Sequence, residues 1–352
     1  MKIAVYAIAK NEEQFVQRWA DSCKEADYRF ILDTGSTDNT VAQAKQAGVD
    51  CRVRQFTPWR FDHARNRALS MLPQDIDICI ALDMDEVLQP GWRQALEAMP
   101  RGVTRPRYKY VWSWKDDGSE GLVYGGDKIH TRHNYRWKHP VHEVIKPLEI
   151  EETQFWVDGL EIHHHPDKSK SRSQYFDLLK LAVREEPADE RNRFYLAREY
   201  YFHGNYDKAS ENFEYFLALS KWAPERAAAC RYMASMHKHR RPYWLYRALS
   251  EDSGRRENWI ALAMMHYEQN DWVGVKSCCE MALRIKEKPL DYLCDANAWD
   301  GTPYDLLALA CWNLGDAENA VLFGRVAVEK SPSDARLISN LNWYKNGFTA
   351  IS

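Results

Sequence analysis

The feature that most constrains the fold is a near-continuous apolar run at residues 76–82, which stops abruptly at Asp83. Such a run is typical of a strand with both faces buried, as in parallel sheets covered by helices. Shorter apolar runs before it alternate with amphipathic stretches. In one of these, Phe15, Trp19 and Cys23 recur four residues apart on one helical face. The pattern predicts an α/β domain with functional residues just beyond its strand ends. The predicted strands are 3–9, 30–32, 51–55 and 76–82.

The size of the chain indicates more than one domain. It has 352 residues, whereas a usual single domain has roughly 100–200. Its 45% hydrophobic and 28% charged residues are ordinary for a globular protein and exclude a disordered or fibrous chain. The net charge of -3 gives no overall basic field, so a nucleic acid or an anionic membrane would need a local basic patch.

Targeting and redox signals favour a reduced, cytoplasmic protein. The opening apolar run at 3–9 is too short for a signal peptide or a membrane span. The 8 cysteines include no Cys-x-x-Cys spacing, and they are too sparse for a disulfide scaffold. We therefore expect a cytoplasmic protein without a membrane-spanning segment.

Beyond about residue 172 the sequence becomes helical in period and contains three similar segments. Each has a Leu-Ala pair, a turn with Gly or Asn, and a second helix with small residues, which is the tetratricopeptide pattern. The spacing predicts a degenerate repeat at about 223–253 and an insertion near 288–302. We expect an α/β domain over 1–171, followed by an all-α tetratricopeptide-like helical repeat domain over 172–352. The turns of the three segments are Gly204-Asn205-Tyr206, Asn270-Asp271-Trp272 and Gly315-Asp316-Ala317.

Polar residues follow the first two predicted strands. Lys10, Asn11 and Glu12 come directly after the first, and Asp33 opens a Gly-Ser-Thr turn after the second. An acidic residue at a strand end can accept a hydrogen bond from a uracil or a ribose, and the turn leads into a helix N-terminus. An ordinary turn with a helix cap would explain the Gly and Thr of this segment. It would not explain the polar residues at the ends of the other predicted strands.

Two further motifs surround the fourth predicted strand. Strand alternation would place Asp83 and Asp85 on one side, where two carboxylates can hold Mg²⁺ or Mn²⁺ against a diphosphate. A solvated acidic turn is the alternative. Upstream, Phe-Asp-His-Ala-Arg-Asn at 61–66 opens a helix, and its Arg65 can meet a phosphate or position an acidic ligand. An exposed arginine without a function is the alternative there.

The four segments at 9–12, 32–40, 61–66 and 82–86, taken in order, resemble those of family 2 nucleotide-sugar glycosyltransferases with the GT-A (Rossmann-like) fold. Members with a tetratricopeptide C-terminal half look closest, including the bacteriocin S-glycosyltransferases. The resemblance implies a nucleoside-diphosphate-sugar donor, with uracil as the expected base, and a divalent metal, Mn²⁺ or Mg²⁺. The donor-binding residues that it implies are Ala9, Lys10, Asn11, Glu12, Asp33, Ser36, Arg65, Asp83 and Met84.

The same resemblance gives the histidines a role. The segment Leu-Glu-Ile-His-His-His at 160–165 matches a strand that ends in His in this branch. It implies that His164 joins Asp83 and Asp85 as the third metal ligand. Because the triplet aligns ambiguously, His163 and His165 remain alternatives, as does a solvated loop.

The resemblance also implies the catalytic carboxylate. A Val-His-Glu segment at 141–143 matches the branch, which makes Glu143 the candidate general base for the acceptor's proton. Asp127 and Glu120 are the fallback carboxylates if Glu143 is not the base. The alternative for Glu143 is a strand residue that only forms a salt bridge. Arg65 is the second catalytic candidate, because Arg65 or Lys10, with the metal, would offset charge on the leaving nucleoside diphosphate. One displacement by the acceptor implies inversion at the anomeric carbon.

The acceptor is open among several classes. The chain lacks the Gln-x-x-Arg-Trp signature and membrane helices, which argues against a polysaccharide synthase. Repeat arrays suit a peptide, a protein or a second copy of the chain, and a glycan acceptor is also open. The basic, aromatic stretch 226–256 favours a second hypothesis, a virus-type DNA glycosyltransferase. A non-catalytic tetratricopeptide adaptor is the third. The acceptor-side candidates are Trp112, Trp114, His142, Arg240 and Arg241.

Overall fold

The computed structural model describes residues 1–167 and 175–351. The chain forms two compact units, Met1–Pro187 and Ala188–Ser352. The predicted domain boundary, between 171 and 172, lies outside the described residues. The helix Tyr175–Glu185 belongs to the first unit.

The first unit alternates strands and helices along its first hundred residues. Its described helices are α1 (Glu13–Ser22), α2 (Thr40–Gln46), α3 (Phe61–Ser70), α4 (Trp92–Glu97) and α5 (Tyr175–Glu185). Its described strands are β1 (Ile3–Ala9), β2 (Tyr28–Asp33), β3 (Asp50–Val53), β4 (Ile78–Ala81), β5 (Glu86–Leu88), β6 (Arg105–Val111), β7 (Val123–Gly126), β8 (Ile129–Thr131), β9 (Tyr135–Lys138), β10 (Val144–Pro147) and β11 (Gln154–His164).

The main sheet has the strand order β3-β2-β1-β4-β8, and its first four strands are parallel. Strand β8 pairs antiparallel with β4. Strands β2 and β4 lie on opposite sides of β1 in the sheet, so the strand order reverses at β1. Ligands of open α/β sheets bind outside the carboxyl ends of the strands at such a point. The ends of β1, β2 and β4 therefore mark the place to look for a site.

Both faces of the central parallel strands β1 and β4 are buried, as their apolar runs predict. In β1, Ile3, Val5 and Ala7 belong to one hydrophobic cluster, while Ala4 and Tyr6 belong to another on the opposite face. Helices cover the sheet because an α/β crossover places them over its faces. This confirms the predicted α/β class.

The segment after β4 is a turn rather than a continued strand. Strand β4 ends at Ala81, and the carbonyl of Asp83 accepts a hydrogen bond from the Glu86 amide at 2.9 Å. The alternation argument that placed Asp83 and Asp85 on one side of a strand is therefore wrong. In a turn, successive side chains do not follow the period of two that a strand imposes.

A second sheet has the order β5-β11-β6-β7, and β9 pairs separately with β10. Tyr108 and Tyr110 of β6 are buried. Strand β6 lies inside this sheet, between β11 and β7. Arg105 is also buried, and its guanidinium donates to the carbonyls of Asp127 and Ile145.

The second unit is all-helical in its described residues. Its consecutive helices pack in pairs, α6 with α7, α8 with α9, α10 with α11 and α12 with α13, and α14 packs on α13. The pair α8–α9 is the predicted degenerate repeat, and the predicted insertion holds the short 3₁₀ turn Ala296–Ala298. No described helix of the chain is both long and apolar enough to traverse a lipid bilayer. The helices are α6 (Glu190–Phe202), α7 (Tyr206–Leu219), α8 (Ala223–Met236), α9 (Arg241–Glu251), α10 (Arg256–Glu268), α11 (Trp272–Arg284), α12 (Thr302–Asn313), α13 (Ala317–Lys330) and α14 (Ala335–Ile351).

The three predicted turns share one local geometry. Gly204, Asn270 and Gly315 have φ angles of 71°, 56° and 82°, a left-handed conformation that glycine and asparagine adopt readily. The residue after each one caps the next helix, because its side chain accepts from a backbone amide of the first turn. The caps are Asn205 to Lys208, Asp271 to Gly274 and Asp316 to Asn319.

Candidate active site

Side-chain hydrogen bonds join the loops that follow β1 and β2. Asn11 Oδ1 accepts from the Thr37 amide, and Ser36 Oγ accepts from the Asn11 amide, each at 2.8 Å. The Glu12 amide donates to Thr40 Oγ1 at 2.8 Å. Because β1 and β2 are parallel neighbours, these bonds gather the polar residues of both strand ends into one surface.

Asp33 is fully buried at the end of β2 and shapes its own loop. Its Oδ1 accepts from the amides of Gly35 and Ser36, each at 2.9 Å, and its Oδ2 accepts from the Ser36 hydroxyl. Gly35 has a φ of 113°, which a residue with a side chain rarely adopts. The expected contact of Asp33 with a base or ribose stays a prediction.

Three more donor-binding candidates differ in exposure. Lys10 is exposed beyond the end of β1. Ala9 and Met84 are 3% and 2% exposed and pack in the core of the first unit. Their side chains therefore supply packing, and any polar contact with a donor would come from their backbone.

Arg65 lies at the centre of the site. Its side chain is 5% exposed; Nη2 donates to Asp83 Oδ1 at 2.7 Å and Nε donates to Glu143 Oε1 at 2.5 Å. The remaining nitrogen, Nη1, is buried and has no hydrogen-bond partner among the described residues. A buried guanidinium with an unused donor is costly to leave unpaired, so an anionic ligand at this point would satisfy it.

Helix α3 and strand β9 position this ion pair. The side-chain amide of Asn66 donates to the Trp137 carbonyl at 2.8 Å and accepts from the Trp137 amide at 2.9 Å. The Arg65 guanidinium carbon lies 4.9 Å from the centre of the Trp137 ring, within the range of a cation–π contact. The Arg and Asn of the 61–66 motif thus have separate roles, one in the ion pair and one in fastening the helix to the chain that leads to Glu143.

Sequence reasoning missed Lys128, which lies between β7 and β8. Its Nζ donates to Asp83 Oδ2 at 2.5 Å and to Glu86 Oε1 at 2.8 Å. Glu86 is 1% exposed and also accepts from the Tyr110 hydroxyl at 2.7 Å. A lone lysine in a loop carries no motif, so only the tertiary structure identifies it.

The two cations set the charge state of Asp83. Burial would raise the pKa of this carboxyl, but the charges of Arg65 and Lys128 outweigh burial and hold its pKa well below the usual range. Asp83 is therefore an ionised group with a cation on each oxygen.

Asp85 and His164 form a second contact in the site. Strand β11 runs antiparallel to β5 with His164 opposite Glu86, which brings His164 Nε2 to 3.2 Å from Asp85 Oδ2. On the other side of the ring, Nδ1 lies 2.9 Å from the Trp112 carbonyl. Burial lowers the pKa of His164, but the hydrogen bond and charge of Asp85 outweigh it and raise that pKa.

Trp112 and Trp114, predicted on the acceptor side, pack around the histidine triplet. The Trp112 ring stacks near His164, with centroids 6.0 Å apart, and Trp114 Nε1 donates to the His164 carbonyl at 3.0 Å. Trp114 also stacks on His165 at 5.5 Å with nearly parallel rings. These contacts hold the triplet in place, and a role toward an acceptor stays a prediction.

The remaining candidates of the first unit lie in other contacts. The His142 ring has its edge toward the Tyr175 ring, with centroids 6.1 Å apart. Glu120 accepts from Lys109, and Asp127 pairs with Arg105 at 3.2 Å. Among the described residues, Glu143 pairs with Arg65, whereas Glu120 and Asp127 pair with Lys109 and Arg105.

The donor set can be tested against a divalent metal. Asp85 and His164 offer a carboxylate oxygen and an imidazole nitrogen, and carboxylates favour Mn²⁺ and Mg²⁺. Because His164 Nδ1 faces the Trp112 carbonyl, His164 Nε2 is the nitrogen that would bind a metal. The residues therefore fit a cation held by Asp85 and His164, while Asp83 faces Arg65 and Lys128. Glu120, Glu161 and His163 also converge, but Lys109 already pairs with both glutamates.

The basic stretch 226–256 in the second unit uses most of its charge internally. Arg256 donates to the Ile285 carbonyl at 2.8 Å and lies over the Trp299 ring. Few of these side chains remain for phosphates, so the structure does not favour the nucleic-acid hypothesis. The arginines that pair with acidic side chains are Arg226, Arg231, Arg241, Arg247 and Arg255.

Comparisons with known proteins bear on the two units separately. Residues 5–140 match the family model of Glycosyl transferase family 2, so the first unit contains a domain of that family. Part of the chain resembles glucosyl-3-phosphoglycerate synthase from Mycobacterium tuberculosis, solved with Mn²⁺, uridine diphosphate and glucosyl-3-phosphoglycerate. That match has 24% identity and a TM-score of 0.28, and it covers 31% of this chain and 44% of the synthase, less than half of its length.

Two further likenesses are to helical proteins. MamA matches at 19% identity and a TM-score of 0.37, over 49% of this chain and 99% of MamA. A tetratricopeptide repeat protein from Parabacteroides merdae matches at 12% identity and a TM-score of 0.35, over 49% of this chain and 64% of that protein. These are local likenesses. The bacteriocin branch implied by the sequence is not among the matches described, and it stays a prediction.

Proposed function

Because the first unit contains a family 2 domain, we propose that it is a metal-dependent, inverting glycosyltransferase that moves a sugar from a nucleoside-diphosphate sugar, with uridine diphosphate as the expected carrier. The proposal depends most on the environment of Arg65. It is buried at the strand ends, joins Asp83 to Glu143, and keeps Nη1 unpaired among the described residues.

The donor would lie at the carboxyl ends of β1, β2 and β4. The loops after β1 and β2 are already fixed by their mutual hydrogen bonds, so little ordering remains when a donor binds. Arg65 Nη1, Lys10 and the third proton of the Lys128 ammonium are the donors that would meet the diphosphate. Guanidinium and ammonium groups in a buried site stabilise developing negative charge without reorganising.

Asp85 and His164 are the residues that would hold the divalent cation. When bound, Mn²⁺ or Mg²⁺ supplies a Lewis acid that offsets charge on the departing nucleoside diphosphate. The carbonyl of Trp112 and the stacked tryptophan rings fix the orientation of the imidazole.

Glu143 is the residue that would take the acceptor's proton. Arg65 holds its Oε1, which leaves Oε2 to receive the proton as the acceptor atom bonds to the anomeric carbon. The bond from that carbon to the diphosphate oxygen breaks in the same step, and the nucleoside diphosphate leaves with the bonding electron pair. A single displacement of this kind inverts the configuration at the anomeric carbon.

A thermal-shift screen of nucleotide sugars, with and without Mn²⁺, tests the proposal. A ligand at a hundred times its dissociation constant stabilises the folded protein by about 2.7 kcal/mol. We expect a metal-dependent shift of the melting temperature for one class of nucleotide sugar, lost in Asp85→Ala. The control is Asp158→Ala, an exposed carboxylate of the same unit. No shift with any donor would contradict the proposal and favour the adaptor hypothesis.

A further inference from the structure

A cavity of about 640 Å³ lies among helices α8, α9 and α10 of the second unit. Ligand pockets commonly measure about 300–1,000 Å³. Its apolar lining includes the buried Ala234, Leu245 and Met265 and the 36% exposed Met264. Methionine side chains adapt to ligands of different shape, so the floor suits aliphatic side chains rather than one rigid molecule.

The rim of the cavity is basic. Arg231, Lys238 and Arg241 line it, and the acid that lines it is Glu268. Glu268 is bound by Arg241. Lys238 is exposed and forms no salt bridge among the described residues, and the charges of Arg241 and Lys238 both act on Glu268. The cavity thus combines an apolar floor with a positive charge that its own carboxylate does not neutralise.

The distribution of charge argues for a peptide rather than a nucleic acid. A nucleic acid carries a charge at each nucleotide and needs a row of cations along its backbone. Of the described arginines that line the cavity, Arg231 pairs with Asp295 and Arg241 with Glu268. The lining cation left for a ligand is therefore Lys238, in the short turn Lys238–Arg240. One such turn can meet one or two carboxylates.

We propose that this cavity docks a short protein segment in which aspartate or glutamate alternates with aliphatic residues. The aliphatic side chains would occupy the floor around Met264 and Leu245, and a carboxylate would pair with Lys238 at the rim. That the segment belongs to the acceptor rests on the proposed function of the first unit. The docking itself does not.

Binding of a fluorescein-labelled peptide of alternating glutamate and leucine, followed by anisotropy, tests the proposal on the full chain. Lys238→Glu should weaken binding about ten-fold or more, because a like charge then faces the peptide. Met264→Gln should weaken it several-fold through loss of apolar contact. Both positions are exposed, so circular dichroism should show an unchanged fold.

Lys221→Glu is the matched control. Lys221 is an exposed lysine that precedes α8, whereas Lys238 follows the same helix. A helix of this length separates its ends by about 20 Å at 1.5 Å per residue. Reversal of charge there should leave peptide affinity unchanged.

Two results would overturn the proposal. One is peptide binding that is absent, or equal in wild type, Lys238→Glu and Met264→Gln. The other is a single-stranded oligonucleotide that binds in a Lys238-dependent way while the peptide does not. The peptide assay contains neither nucleotide sugar nor metal, so it measures peptide docking alone. Nucleotide-sugar binding by the same protein sample tests the proposed function of the first unit separately.

Discussion

Replacement of Arg65 by methionine is the perturbation with the best-defined cost. The change keeps most of the side-chain volume but removes the charge that two carboxylates share. Arg65 and Glu143 are 5% and 10% exposed, and Asp83 is 29% exposed and keeps Lys128 as a partner. Loss of one partner of a buried ion pair costs about 3–5 kcal/mol. Because Asp83 remains paired, we expect about 3 kcal/mol, the lower end of that range.

Scanning calorimetry measures this loss, since it can resolve units that unfold separately. For a unit of this size, 1 kcal/mol shifts the melting temperature by roughly 2–4 °C, so the transition of the first unit should fall by about 6–12 °C. Adding Glu143→Gln should recover part of the loss, because the carboxylate left without Arg65 is then neutral.

Arg67→Met is the matched control on the same helix. Arg67 is exposed and has no ion pair among the described residues, so its replacement should change stability by less than about 0.5 kcal/mol. The reasoning fails if Arg65→Met and Arg67→Met melt at the same temperature.

Three further predictions concern other charged groups. Glu143→Gln should retain nucleotide-sugar binding and slow transfer by roughly 10²–10⁴-fold; wild-type transfer would redirect the base role to Asp127 or Glu120. Lys128→Met should weaken nucleotide-diphosphate affinity in calorimetric titration more than Lys115→Met, an exposed lysine of the same unit, and equal losses would remove Lys128 from the site. Burial raises the pKa of Glu225 to about 7, so the folded second unit favours the protonated acid. The stability of this unit should fall as pH rises from the pKa of Glu225 in the unfolded chain through about 7. Glu225→Gln should stabilise the unit above pH 7 by about 3 kcal/mol, and this gain should be lost below pH 5. Equal stability of the wild type and the variant at pH 8 would contradict this.

Local patterns predicted most of the fold. The run 3–9 is β1, and the Gly or Asn turns of the repeats have the left-handed residue and helix cap that their sequences require. These features depend on residues close together in the chain, which a sequence shows directly. The error after β4 has the same origin, because an apolar run does not indicate where a strand becomes a turn.

The candidate site depended on contacts that local patterns do not contain. Arg65, Asp83 and Glu143 each stood out in a motif, but their shared ion pair joins residues far apart in sequence. Lys128 belongs to no motif at all. Conversely, no local pattern indicated that Trp112 and Trp114 pack against the histidine triplet, and their role toward an acceptor stays a prediction. A residue type indicates what a side chain can do, and only the fold shows which neighbour it serves.

The basic stretch 226–256 illustrates the limit of charge counting. Its acidic partners include Glu251 within the stretch and Glu268 and Asp291 beyond it. A window that ends at 256 counts the arginines and omits some of these acids, so the stretch looks more basic than the surface that it forms.

Calorimetric titration of uridine diphosphate in the presence of Mn²⁺ tests the central claim most directly, with wild type, Asp85→Ala and the Asp158→Ala control. The account predicts binding by wild type and by the control that EDTA abolishes, and loss of the metal-dependent part in Asp85→Ala. Absence of binding by wild type, or equal binding by all three proteins with and without EDTA, would contradict a metal-assisted nucleotide-sugar site at the carboxyl ends of β1, β2 and β4.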